Sequence, residues 1–377
     1  MKRSVIFSIS SVILLSAFYK PSLKTNEDHE TLAIGAKAPD FILPGIDGKT
    51  YSLASFKSAP VLVLVFTCNH CPTAQAYEDR VIQLKADYGN QGVAIIAIMP
   101  NDPEAINLDE LGYTDLSDSF EEMKTRAKQK KYNFPYLYDG KTQSVAKAYG
   151  PVATPHVFIF DKERKLRYSG RIDDMEKPTR KPASQDTRNA IDALLNNKDL
   201  AVPTTKVFGC SIKWAEKESW KAKAALQWAK EPVKLEMIDE AGIQDLVKNN
   251  SDKLRLINIW ATWCGPCTKE YPEFISMNRM YRKRDFEFVS ISADDPDIKE
   301  KVLKFLQKEQ SSVTNYLFSK DDKYKLIEAV DPKWQGALPY TILVEPGGKI
   351  VYAKQGAVDP DAMKKMIVDN KIIGRYY

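Results

Sequence analysis

The chain has 377 residues, 44% of them hydrophobic and 28% charged, with a formal net charge of +5. That length exceeds a single compact core and asks for two domains with a connector, and the composition is that of a soluble globular protein. The charge is small and spread along the chain without a basic block, which argues against a nucleic-acid partner.

Lys2 and Arg3 precede an apolar stretch from Val5 to Phe18, with small residues at Ser16 and Ala17. This is the layout of a secretory signal peptide over residues 1–19, and it falls short of the roughly 20 residues of a membrane span. An uncleaved N-terminal anchor is the alternative, and no cysteine ends the stretch to accept a lipid. The protein is therefore expected to be exported, to a periplasm in the simplest case. Disulfides persist there, and a dithiol protein depends on partners to keep it reduced or oxidised.

After a polar tether around Lys20 to Glu30, a short hairpin is predicted near Leu43 to Leu53, through Gly48. Val61 to Phe66 is an unbroken apolar run, as expected of a central strand buried on both faces. It delivers Cys68-Asn69-His70-Cys71, and from Pro72 the apolar positions Tyr77, Val81, Leu84 and Tyr88 follow helical spacing. A strand over Val93 to Ile98 and a helix over Phe120 to Lys130 come next. A strand over Tyr136 to Tyr138 and a helix over Gln143 to Tyr149 precede Thr154-Pro155, which opens a strand from Val157 to Phe160.

The second half repeats this order. Leu254 to Trp260 is the buried strand, Cys264-Gly265-Pro266-Cys267 the junction, and Tyr271, Phe274, Ile275 and Tyr281 the inner helix face. A strand over Phe286 to Ile291 and an amphipathic helix through Ile298, Val302, Phe305 and Leu306 follow. An extra strand (Tyr316 to Ser319) and helix (Lys323 to Ala329) then lead to Leu338-Pro339, which opens Thr341 to Val344. Pro155 leads to Lys165 and Tyr168, and Pro339 to Lys349 and Tyr352, at identical offsets, the mark of an internal repeat of a whole domain. Between the halves, Trp214, Trp220, Leu226 and Trp228 make the connector too apolar for a flexible linker, so it is expected to pack on a domain.

Four of the five cysteines form the two Cys-x-x-Cys pairs, each at a strand-to-helix junction. That spacing presents one sulfur at a helix N-terminus as a stabilised thiolate and holds a second behind it to resolve a mixed disulfide. A structural zinc site is the alternative, but zinc ribbons separate their pairs by roughly 15 to 20 residues and here nearly two hundred intervene. Small structural disulfide loops would remove little unfolded-state entropy. Thiol redox chemistry is the stronger account, without a metal or other cofactor.

The run Trp260-Ala261-Thr262-Trp263-Cys264-Gly265-Pro266-Cys267, with Glu270-Tyr271-Pro272, resembles the thioredoxin superfamily, and within it the exported TlpA/ResA-like thiol-disulfide oxidoreductases. The resemblance runs from about Lys234 to the C-terminus. It implies that Cys264 attacks, Cys267 resolves, Pro339 is a cis-proline facing the pair and holding the substrate backbone, and Trp263 shields the pair from water. Asn258 stands where many thioredoxins have a buried aspartate, as is common in this branch, which leaves Glu270 the candidate proton acceptor or a residue that merely favours the helix's first turn.

Ala38-Pro39-Asp40-Phe41, Asp47-Gly48-Lys49, Cys71-Pro72-Thr73 and Thr154-Pro155 resemble the peroxiredoxin-like redoxins of AhpC/TSA type. The tail Phe208-Gly209-Cys210-Ser211-Ile212-Lys213-Trp214 is similar to the end of a small redoxin family with the same Cys-Asn-His-Cys-Pro run, which places the first domain's boundary at about Trp214. Cys71 has the place of a peroxide-reducing cysteine, but Cys68 stands where that site's threonine belongs, so dithiol chemistry is favoured over a dedicated peroxidase. Cys68 and Cys71 are expected to play the attacking and resolving roles beside Pro155. His70 resembles the histidine of oxidising Cys-Pro-His-Cys pairs, which stabilises the thiolate; the alternative is a solvated loop residue. His156 either faces the cysteines or points away. Cys210 is a resolving thiol, a metal ligand, or a small buried hydrophobe.

The expected architecture is α/β: two tandem thioredoxin-like folds, each a central mixed β-sheet flanked by helices, at residues 31–214 and 233–377 with a connector at 215–232. The expected function is exported thiol-disulfide exchange with protein disulfides through both dithiols, with electrons passing from the second pair to the first and supplied by an upstream thiol reductant that is membrane-bound or soluble. Two alternatives are a thiol peroxidase, hence an antioxidant activity, using Cys71, and a copper-binding module using Cys68, Cys71 and His70.

Overall fold

Alternating apolar strands dictate how each half is layered. In the computed structural model, which describes residues 29–375 apart from Lys141, Pro178, Thr179 and the side chains of 217–220, all five residues of the strand Leu62–Phe66 are buried. The signal or anchor segment, nearly all of the polar tether and the Trp220 side chain lie outside the described residues. Among those described, no helix is long and apolar enough to cross a membrane.

The first half begins with the hairpin β1 (Ile42–Pro44) and β2 (Thr50–Ser52), turned at Gly48 with φ +80°. There follow β3 (Leu62–Phe66), α1 (Pro72–Tyr88), β4 (Ala94–Met99), a long loop over 101–119, α2 (Phe120–Lys130), β5 (Tyr136–Tyr138) and α3 (Ser144–Tyr149). β6 (His156–Phe160), β7 (Leu166–Gly170) and α4 (Asp186–Leu195) complete it. The sheet order is β5-β4-β3-β6-β7, with β3 parallel to β4 and antiparallel to β6. Side chains alternate across the pleat. Val63 and Val65 face the layer that holds Tyr77, Val81 and Ile191, whereas Leu62, Leu64 and Phe66 face the layer of Ala146, Tyr149 and Phe41.

The connector is helical, α5 (Glu218–Trp228). It does pack: Lys221 pairs with Glu104 at 2.7 Å on one side, and Arg279 lies 4.6 Å over the Trp228 ring on the other. Leu226 remains 65% exposed, so the connector's apolar surface is not all covered. Trp214 is half-buried against the first sheet and belongs to that core.

The second half contains β8 (Glu236–Ile238), α6 (Glu240–Lys248), β9 (Leu254–Trp260), α7 (Gly265–Tyr281), β10 (Phe286–Ser292) and α8 (Lys299–Lys308). β11 (Thr314–Phe318), α9 (Lys323–Val330), β12 (Tyr340–Glu345), β13 (Lys349–Gln355) and α10 (Pro360–Asp369) follow. The order β13-β12-β9-β10-β11-β8 repeats the first sheet with one strand added at its edge. The repeat extends to an irregularity: the register shifts between Ile159 and Phe160 in one hairpin and between Leu343 and Val344 in the other, at the same distance from Pro155 and Pro339. These are two tandem thioredoxin-like folds.

The halves meet through the loop 101–119. Its Ile106 and Leu111 are buried in the core cluster of the second half. The Tyr281 hydroxyl donates to the Thr114 carbonyl at 2.9 Å, Arg284 donates to the Gly112 carbonyl at 2.8 Å, and Arg375 pairs with buried Asp115 at 2.8 Å.

Candidate functional site

Each cysteine pair stands where a central strand ends and a helix begins, which leaves free N–H groups of the first turn beside a sulfur. In the second half Cys264 is the N-cap residue of α7, and the Cys267 N–H donates to its Sγ at 3.3 Å. Cys264 and Cys267 form a disulfide and both are buried. Leu338–Pro339 is a cis peptide, and because Tyr340 lies opposite Ile259, Pro339 enters its strand beside the end of β9 that leads to the cysteines. Asp294 holds the intervening loop through the N–H and hydroxyl of Thr262, at 2.8 and 2.7 Å. Trp263 is 67% exposed, so it offers an apolar surface beside the pair and does not seal it.

Glu270 sits one turn beyond Cys267 on the same face of α7 and is buried. Its Oε2 accepts the Val358 N–H at 2.9 Å, while Oε1 has no hydrogen-bond partner among the described residues. Burial pushes its carboxyl above the ordinary range, against the opposing pull of the Val358 N–H, Asn258 and the Lys354 charge. Asn258 is itself tied across the sheet, its Nδ2 donating to Thr341 Oγ1 at 3.0 Å.

In the first half Cys71 is the N-cap residue of α1, followed by Pro72 at the first helical position, and Thr154–Pro155 is cis. Phe66 lies opposite His156, which sets Pro155 beside the segment that carries Cys68. Cys68, Cys71 and Cys210 are free thiols. Cys68 Sγ lies 3.1 Å from Thr154 Oγ1, and Cys71 Sγ lies 3.4 Å from the Thr154 carbonyl oxygen.

The His70 side chain is buried, so it is no solvated loop residue. Its Nδ1 meets Asp118 Oδ2 at 2.6 Å, and Asp118 Oδ1 accepts the backbone N–H groups of Asn69 and His70 at 2.9 and 3.1 Å. Asn101 Nδ2 donates to Asp118 Oδ2 at 2.7 Å. Burial works against charge on both partners, yet their mutual attraction wins: His70 is raised above the ordinary imidazole range and Asp118 held below the usual carboxylate range.

These surroundings divide the two thiols. Burial opposes ionisation of Cys71, but interactions with the Cys210 and Cys68 thiols, the His70 charge and the Ala74 N–H hold it well below the ordinary thiol range. Burial pushes Cys68 well above that range, reinforced by Cys71 and the negative charge of Asp118. These directions favour the thiolate on Cys71 over Cys68. His156 does not face the cysteines: Nδ1 accepts the Val152 N–H at 3.2 Å, Nε2 meets Ser169 Oγ at 3.0 Å, and burial lowers its pKa to about 3.

Cys68 Sγ, a ring nitrogen of His70 and a carboxylate oxygen of Asp118 lie within 4.8 Å of one another, the spacing of a metal site. Both Asp118 oxygens, however, already accept two hydrogen bonds each, which leaves that carboxylate no free position for an ion. A cleft of about 390 Å³ opens beside the first turn of α1, lined by Pro72, Gln75 and Arg126 on one side and Lys365, Asp369 and Arg375 on the other. Asp118 and Asn101 were not singled out by sequence, and Thr154 only as the neighbour of Pro155. Asp118 lies 48 residues from His70, and only the path of the loop 101–119 brings them together.

The AhpC/TSA family model matches residues 34–169 and again 233–353. Thiol-disulfide oxidoreductase ResA of Bacillus cereus is 26% identical over 136 residues, 34% of this chain and 70% of that protein. ResA of Oceanobacillus iheyensis is 25% identical over 134 residues, 36% of this chain and 65% of that protein. Among solved structures, a hypothetical protein from Sinorhizobium meliloti 1021 is 36% identical, covering 49% of this chain and 96% of its own at a TM-score of 0.44. The thioredoxin domain of a thiol-disulfide oxidoreductase from Bacteroides vulgatus is 18% identical, covering 37% and 89% at a TM-score of 0.30.

Proposed function

The chain belongs to the AhpC/TSA family through both of its halves, and from that premise we propose that it is an exported thiol-disulfide oxidoreductase with two dithiol sites in series. The observation that carries this reading is the repetition of one arrangement: a Cys-x-x-Cys pair, its second or first sulfur at a helix N-cap, beside a cis-proline. The named ResA relatives support the same chemistry. In the second domain the Cys264 thiolate attacks a substrate disulfide, forms a mixed disulfide and releases one thiolate. Cys267 then attacks Cys264 Sγ, which frees the second substrate thiol and leaves the Cys264–Cys267 disulfide. Protein disulfides and an upstream thiol reductant, membrane-bound or soluble, are the partners this requires.

Glu270 takes the Cys267 proton in that second step, for which its raised pKa and free Oε1 suit it. A base works above its pKa, so disulfide closure slows as pH falls through the raised Glu270 value. Glu270→Gln should slow closure by about 10²-fold and flatten this pH dependence. Stopped-flow measurement of closure between pH 4 and 9 checks this, and an unchanged profile in the variant removes Glu270 from the step.

Within the chain, electrons pass from the second pair to the first. Stabilising the reduced Cys71 thiolate makes the first disulfide easier to reduce, and a gap of about 30 mV is tenfold in equilibrium for a two-electron couple. The potentials are to be measured on full-length Cys264→Ser/Cys267→Ser and Cys68→Ser/Cys71→Ser chains in glutathione buffers. A higher potential for the first pair supports the series arrangement; equal potentials, or the reverse order, defeat it.

The low-lying Cys71 thiol also favours a second reading, a thiol peroxidase in which Cys71 attacks peroxide and the second domain recycles it.

A further inference from the structure

The two cis-prolines differ in what lies alongside them. Thr154, before Pro155, forms an isolated antiparallel bridge with Cys210, its N–H donating to the Cys210 carbonyl at 2.9 Å. Leu338, before Pro339, forms no such bridge among the described residues. The approach to Thr154 is one that only glycine permits. Gly209 has φ +143°, and a Cβ there would lie 2.0 Å from the Thr154 oxygen and 2.7 Å from its carbonyl carbon.

The segment is strapped down at both ends. Thr204 pairs with Ser169, and Thr205 Oγ1 meets the Tyr168 hydroxyl at 2.7 Å. Beyond Cys210, Ile212 is buried, the Lys213 N–H donates to Asn101 Oδ1 at 2.9 Å, and the Lys213 carbonyl accepts from Asp102 N–H and Gln143 Nε2, both at 2.9 Å. The strap thus crosses the face where Cys68 and Cys71 both touch Thr154, with the Cys210 thiol interacting with Cys71.

An extended strand paired beside a cis-proline, with a cysteine turned toward the reactive sulfur, is the arrangement a bound disulfide substrate would adopt by strand addition. We propose that the strap is a tethered substrate strand and that Cys210 is a third redox cysteine, which closes a disulfide with Cys71. This rests on the dithiol reading of the first domain. Once Cys71 carries half of a substrate disulfide, the Cys210 thiol gives up its proton as it attacks Cys71 Sγ and breaks the bond to the substrate sulfur, which leaves as a thiolate and takes up that proton. Cys68 then attacks Cys71 Sγ, its proton passing to the displaced Cys210 sulfur, which leaves the Cys68–Cys71 disulfide and a Cys210 thiol. Two electrons have passed from the protein's thiols to the substrate, and Cys210 returns to its starting state.

The test uses the reduced full-length chain, glutathione disulfide as oxidant, and mass spectrometry of unreduced digests over time. In Cys68→Ser, the Cys71–glutathione adduct should decay into a Cys71–Cys210 cross-link, whereas in Cys68→Ser/Cys210→Ser it should persist at least about tenfold longer. Cys68→Ser/Gly209→Val keeps the thiol but lifts the strap, and should lose the cross-link. Equal adduct lifetimes with and without Cys210, or undiminished cross-linking in the Gly209→Val chain, overturn the proposal. A Cys68–Cys71 disulfide that forms in the parent chain while Cys68→Ser never gives the Cys71–Cys210 cross-link sinks the strap alone. Failure of Cys71 to form any adduct or disulfide sinks the dithiol reading beneath it.

Discussion

Cys71→Ser is expected to silence the first domain toward both peroxide and disulfides, whereas Cys68→Ser leaves its first chemical step intact. An ordinary thiol is only a few per cent ionised at pH 7, so a fully ionised one begins with roughly thirtyfold more nucleophile. Cys71 gains that position from the His70 charge, the Ala74 N–H and two neighbouring thiols, and Cys68 is denied it by burial and the nearby Asp118 charge. A serine at 68 keeps a hydroxyl able to donate to Cys71, so the thiolate survives the change. The measurement is the initial rate of peroxide loss and of mixed-disulfide formation in full-length variants. Reactivity retained in Cys71→Ser, or lost in Cys68→Ser, would show the thiolate to be misplaced. Repeated peroxide turnover in Cys68→Ser selects the peroxidase reading, and a single turnover selects dithiol exchange.

That division of labour shows where sequence reasoning reached and where it stopped. Apolar runs such as Leu62–Phe66 and Leu254–Trp260 carry their own structural meaning, because a strand buried on both faces can hold almost no polar side chain. The cysteine spacing and the prolines were legible for the same local reason. The loop 101–119 was not, since its short turns have no periodicity and their partners are distant: Asp118 meets His70, Thr114 meets Tyr281, and Asp115 meets Arg375, 260 positions away. The ionisation of Cys68 and Cys71 depends on those partners, which the second pair lacks, so the second pair's sequence was no guide to it. Edge elements such as β8 and β13 were also missed. β13 is half-exposed and mixes lysines with apolar residues, so its alternation is weak.

Asp118→Ala is expected to cost the first domain about 3–5 kcal/mol, because it leaves the His70 charge buried without its partner. The dependence on pH follows from the two shifts. His70 is raised on folding, so its share of the stabilisation is full below the unfolded imidazole value of about 6.5 and disappears as pH rises through the higher folded value. Asp118 is lowered, so its share is present above the unfolded value of about 3.9 and is lost as pH falls through the folded one. The difference between parent and variant in urea unfolding should therefore be greatest between about pH 4 and 6.5 and shrink toward alkaline pH. An equal difference at pH 5 and pH 9 would show the carboxylate to be a packing element and not a charge partner.

The same substitution reaches the redox chemistry through His70. Without Asp118, burial and the Lys213 charge push the imidazole toward its neutral form against the Cys71 charge alone, which weakens the positive charge that helps hold Cys71 as a thiolate. A less stabilised thiolate makes the reduced first pair less favourable and its disulfide harder to reduce, so the potential of the first site should fall toward that of the second. Measured on full-length Asp118→Asn, which preserves the size of the side chain, the gap between sites should narrow while the potential of the Cys264–Cys267 pair stays fixed. Because Asn101 binds both Asp118 and the strap at Lys213, a shift confined to the first site would locate the effect in charge. A shift in both would mean that the loop 101–119 had released the second domain as well.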